Sequence, residues 1–171
     1  MVEYSDTAPN LKVGIISKFY FMKFHIFFPI LLLIIAIQNN SAIAQSQKRT
    51  LIGYIENGNA VLSIDKSKML STYNSKLLKL SGIDAKFSDI NIKSTTDKQY
   101  FLVFKSATYL STFSVIAENS QLFAVVTISC TTSDCASEEF GCTPKVSGVA
   151  CWPCNNKGKC TKTVSNDSLI D

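Results

Sequence analysis

All six cysteines of the chain fall in one stretch of 31 residues, Cys130 to Cys160, which reads CTTSDCASEEFGCTPKVSGVACWPCNNKGKC. The gaps between successive cysteines are four, six, eight, two and five residues. Such a density belongs to a disulfide scaffold or a metal-binding knot. The stretch is poor in apolar residues: Ala136, Phe140, Val146, Val149, Ala150 and Trp152. These bury too little surface to offset the backbone entropy of ordering it, about 1–2 kcal/mol per residue. A native disulfide in a small secreted domain contributes about 2–5 kcal/mol, largely by restricting the unfolded chain. The expectation is therefore that Cys130, Cys135, Cys142, Cys151, Cys154 and Cys160 form three disulfides. Six cysteines allow about 15 pairings, and their spacing does not choose among them.

Two other chemistries use the same thiols. A cysteine-ligated metal knot is one. Cys151 and Cys154 have a C-x2-C spacing, but no second such pair completes a zinc ribbon. Redox catalysis is the other. Cys151-Trp152-Pro153-Cys154 resembles the C-x-P-C active-site motif of the thioredoxin-like oxidoreductases. The resemblance implies thiol–disulfide exchange by Cys151 and Cys154, with a helix opened by the motif to lower the first thiol's pKa. Here the run Asn155 to Lys159 favours a turn, and no βαβ unit precedes it.

The start of the chain points to export. Met22 onward reads MKFHIFFPILLLIIAIQNNSAIAQ: a basic Lys23, an apolar run from Ile26 to Ile37, and Ala42-Ile43-Ala44 as an A-x-A cleavage site. The apolar core is shorter than the roughly 20 residues of a membrane-spanning helix. Residues 22–44 thus read as a signal peptide. Residues 1–21 read as an upstream extension before a true start at Met22. Cleavage after Ala44 gives a secreted or periplasmic protein with no stable membrane span, in a compartment where disulfides persist. What remains, 127 residues, is one domain's worth of chain.

Several functions are excluded by composition. The chain's one histidine, His25, lies in the signal peptide. The exported part then has no Ser-His-Asp or Cys-His catalysis and no histidine metal site. No glycine-rich phosphate loop is present; Gly53, Gly58 and Gly82 are isolated. Glu138 and Glu139 are adjacent and read as a solvated loop, not as a catalytic pair. The net charge is only +4, and Arg49 is the sole arginine, so no nucleic-acid partner is expected. No cofactor is expected either.

Between signal and cysteines, residues 45–129 read as an α+β domain. Thr50 to Ile55 and Ala60 to Ile64 flank Asn57-Gly58, a hairpin signal. Lys66 to Ser81 carries Met69, Tyr73, Leu77 and Leu80 at helical spacing, widened by Leu70 and Leu78. Asp65 or Ser67 suits its N-cap, and Gly82 its C-terminus. Four strands follow: Phe87–Lys93, Gln99–Lys105, Tyr109–Ala117 and Gln121–Ser129. The expected fold is one helix packed on an antiparallel sheet (β-β-α-β-β-β-β), then a small disulfide-rich lobe over 130–160 hanging from a sheet end, then a polar, frayed tail over 161–171. The element order resembles small cystatin-like α+β domains, which implies a fold and no function. Tyr100, Phe101, Phe104, Tyr109 and Phe113 read as core, with a ligand pocket as the alternative.

The functional reading is an exported, non-catalytic binding or interaction module. Its stapled segment would meet an unidentified macromolecule, with Trp152, Phe140 and Lys157 as the contacts. The alternatives are the redox enzyme using Cys151 and Cys154, and the metal knot.

Overall fold

In the computed structural model, which describes residues 47–145, 148 and 150–171, the sequence periods become one helix and an antiparallel sheet. The fold is α+β. The upstream extension (1–21) and the signal peptide (22–44) lie outside the described residues. Among the described residues no helix is long and apolar enough to cross a membrane.

The first strands are β1 (Arg49–Glu56) and β2 (Asn59–Leu62). Glu56 pairs with Asn59, so Asn57 and Gly58 alone make the turn. Both have positive φ, 50° and 80°, as a two-residue hairpin turn requires. Helix α1 (Lys66–Ser81) starts at Asp65, whose side chain accepts from the Lys68 amide at 3.0 Å. It stops at Gly82, in the left-handed region at φ 73°. Met69, Tyr73 and Leu77, four residues apart, are its buried side chains. The stripe is narrower than its sequence suggests, because Leu78 and Leu80 are each 49% exposed.

The remaining long strands are β3 (Asp89–Ser94), β4 (Tyr100–Lys105) and β5 (Leu110–Glu118). They pair antiparallel in chain order. β4 is buried on both faces, as its continuous apolar run requires. The expected strand Gln121–Ser129 is in fact two: β6 (Gln121–Val125) and β7 (Ile128–Thr132). Both lie along the same edge of β5. Val115 pairs with Ala124, but Thr112 pairs with Cys130, so three residues of β5 face six of its partner. The surplus forms a turn at Val126–Thr127. Its backbone is satisfied from elsewhere: the Val126 amide donates to Lys48 O at 3.1 Å, and Val126 O accepts from the Leu169 amide at 2.7 Å.

Beyond β6 the sheet continues through β1 to β2, and beyond β7 to β10 (Thr161–Val164). Here the expectation of a frayed tail is corrected. β10 pairs with β7 over four residues, and Leu169 and Ile170 are 0% and 2% exposed in the main core. Lys76 on α1 holds this end, donating from Nζ to Ser168 O and Asp171 O, each at 2.7 Å.

Side-chain alternation divides the sheet into two faces. Leu102, Phe104, Phe113, Leu122 and Ile52 point toward α1 and form the main core. The ring of Tyr73 stacks on Phe87 at 5.5 Å and meets Phe104 and Phe113 at 4.6 and 5.0 Å. Phe101, Val103 and Leu110 point to the other side, where Ala136 and Phe140 cover them. The cysteine-rich segment thus lies against the face opposite the helix.

Candidate functional site

Cys130 sits in the middle of β7 and is fully buried. From there the chain crosses the outer sheet face and returns as β10. Three disulfides close it: Cys130–Cys151, Cys135–Cys154 and Cys142–Cys160, with Cα separations of 5.9, 6.4 and 5.9 Å. The first cysteine bonds to the fourth, the second to the fifth and the third to the sixth, so every bridge interleaves with both others. No described cysteine is free.

Polar contacts fix the same segment. The Thr112 hydroxyl on β5 donates to Cys142 O, which ties the segment's middle to the sheet. Thr132 Oγ1 donates to Lys159 O at 2.8 Å and accepts from the Asp134 amide at 3.2 Å. Asp134 Oδ2 accepts from the Lys159 amide at 2.8 Å. Glu138, far from standing free in solvent, accepts from the amides of Asn155 and Asn156 at 3.2 and 3.4 Å. Asp134 and Glu138 are thus structural acceptors.

The pair of the alternative redox reading, Cys151 and Cys154, is separated by its bonding. Cys151 is joined to Cys130 and Cys154 to Cys135, so neither is joined to the other. Cys151 opens β9 (Cys151–Trp152), which pairs with β8 (Thr143–Pro144), and a turn at Asn155–Asn156 follows it. No helix N-terminus stands there to lower a thiol pKa. The sulfurs of Cys135, Cys142 and Cys154 lie within 4.8 Å of one another, and Cys142 Sγ is 3.5 Å from Cys154 Sγ. As thiolates these three are the residues that can hold a soft metal ion; as disulfides their sulfurs offer no thiolate.

The three expected contact residues are placed differently. Trp152 is 56% exposed at the end of β9, and Lys145 Nζ lies 4.0 Å from its ring centroid. Lys157 is exposed on the turn after Cys154, at φ 61°. Phe140 is half-buried and packs edge-on against Phe101 at 5.7 Å. Its ring helps hold the segment on the outer sheet face.

A cleft of about 700 Å³ opens between the β8–β9 hairpin and the uncovered part of the outer sheet face. Trp152, Lys145, Ile116, Val125 and Ile128 line it, with Arg49 and Lys98 at its border. Only Trp152 of these stands out in the sequence. The others lie on six segments that the fold alone brings together. Of the aromatic set, Phe104 and Phe113 are core residues and Tyr100 and Tyr109 pack against the same core, whereas Phe101 is buried on the opposite face, beside the cleft.

Compared with known protein families, with curated proteins and with solved structures, the chain matches none.

Proposed function

We propose that this chain is an exported, non-catalytic binding protein, and that its disulfide-stapled segment is the recognition surface for another macromolecule. The observation that carries the reading is the placement of Trp152. Its large apolar ring is more than half exposed, next to a cysteine bonded into the sheet. A rigid aromatic side chain loses little freedom on binding, and tryptophan is common among the residues that dominate interfaces. Lys145 against the ring and Lys157 on the neighbouring turn supply positive charge beside it. The absence of histidine from residues 45–171 and the structural use of Asp134 and Glu138 support a role without catalysis.

The test has two parts. N-terminal sequencing of the exported protein is expected to start at Gln45. Cross-linking in the producing cells, with a photoreactive group at Lys157, is expected to give a defined adduct that Trp152→Ala removes and a change on the far helix face, Leu80→Ala, leaves intact. Adducts indifferent to Trp152→Ala overturn the reading. So does insulin reduction by the purified protein that Cys151→Ser abolishes.

A further inference from the structure

The cleft beside the stapled segment has a composition that selects a ligand. Its volume of about 700 Å³ falls within the range of small-molecule sites, about 300–1,000 Å³. The floor is aliphatic, with Ile116 from β5, Val125 from β6 and Ile128 from β7, and the indole of Trp152 forms a wall. Among the described residues, three cations line the cleft and no aspartate or glutamate does. Arg49 is paired with Glu118 at 2.7 Å. Neither Lys98 nor Lys145 has an ion-pair partner among the described residues. An aliphatic floor with unpaired ammonium groups at its border complements a molecule with an apolar body and one acidic end.

We propose that this cleft binds a single-chain anionic amphiphile, with its acyl chain along Ile116, Val125 and Ile128 against Trp152 and its carboxylate at Lys145 and Lys98. A macromolecule does not fit a space of this size, so the ligand is additional to the partner proposed above. The two readings share Trp152 as a border residue, but each can fail without the other.

Trp152 is the only tryptophan of the chain, so its emission reports on this one border of the cleft. Purified, oxidised protein is titrated with dodecanoate below the concentration at which it forms micelles. The expected result is a saturable blue shift as the indole leaves water. Dodecyltrimethylammonium, with the same chain and the opposite charge, is expected to bind at least about tenfold more weakly. Calorimetry, which does not depend on the indole, is expected to show dodecanoate weakened about tenfold by Lys98→Asn with Lys145→Gln. Asparagine suits the positive φ of 58° at Lys98. Saturation only with micelles, equal affinity for the two head groups, or a folded double variant that binds like the wild type overturns the proposal. The comparison of the two head groups needs no variant, so the proposal stays open to refutation even if the double variant does not fold. Loss of dodecanoate binding has no bearing on the Lys157 cross-link, which keeps the two readings distinct.

Discussion

The phenol of Tyr73, on the helix, lies 2.6 Å from the hydroxyl of Ser111, on the central strand β5, and 3.4 Å from that of Thr131, on β7. Ser111 and Thr131 are themselves 2.8 Å apart. A small polar cluster is thus enclosed where helix and sheet meet. It fixes the rotation of the helix, since only one position on the stripe can place a hydroxyl over Ser111.

Burial raises the Tyr73 pKa above its ordinary value of 10.0, and its hydrogen bonds to hydroxyls offset this only in part. The folded state therefore keeps its proton at a pH where the unfolded chain has lost it. This contribution to stability is complete below pH 10 and declines above it as the unfolded phenol ionises. Denaturant melts between pH 8 and 11 are expected to show a steeper alkaline loss in the wild type than in Tyr73→Phe. At pH 7 the variant is expected to be less stable by about 1–2 kcal/mol, because Ser111 loses a partner in a dry site.

Gly53 sits at the irregularity where β1 pairs with β6, and a Cβ there would collide with the carbonyl oxygen of Val61 on β2. Because the obstacle is backbone, it cannot swing aside. Gly53→Ala is expected to destabilise by about 1–3 kcal/mol in urea melts, as overpacking does. Gly58→Asn, at a turn position that asparagine tolerates, is expected to cost far less.

Peptide mapping without reduction is expected to return Cys130–Cys151, Cys135–Cys154 and Cys142–Cys160, with no Cys151–Cys154 peptide. Replacing Cys142 and Cys160 together by alanine opens a loop of 18 residues and is expected to cost about 2–4 kcal/mol. Chemical denaturation of the two proteins side by side checks the figure.

Leu169 is fully buried and its amide closes the turn at Val126. Leu169→Ala is expected to cost about 2–5 kcal/mol, the range for deleting a core leucine side chain. Leu78→Ala, on the half-exposed flank of the helix, is expected to change stability by less than about 0.5 kcal/mol. Parallel urea melts of the two variants measure the contrast.

The parts of the fold legible in the sequence are those whose causes are local. Asn57-Gly58 makes its turn by its own backbone preferences, and α1 carries both of its end signals within 18 residues. The break between β6 and β7 was hidden because Val126 and Thr127 continue the apolar alternation. What interrupts pairing there is a pair of backbone contacts from Lys48 and Leu169. The tail misleads by its polarity: Thr161–Val164 and Ser168 read as solvated, yet the first four pair with β7 and Ser168 leads two apolar side chains inward. At the candidate site the disulfides follow from a segment too poor in apolar residues to hold its shape without them, and the exposure of Trp152 from one too thin to bury its ring. The packing of Phe140 depends on Phe101, almost forty residues earlier, and leaves no local mark.

Thr50 Oγ1 donates to Asp171 Oδ2 at 2.9 Å across 121 residues of sequence. The first strand is thus tied to the segment that carries the buried Leu169 and Ile170. A chain emerging from the ribosome or from a translocation channel holds its sheet with one side wet until the final segment arrives. Loss of residues 162–171 removes most of β10 and two core side chains, so such a chain is expected to be a substrate for proteases and chaperones, not a smaller version of the same protein.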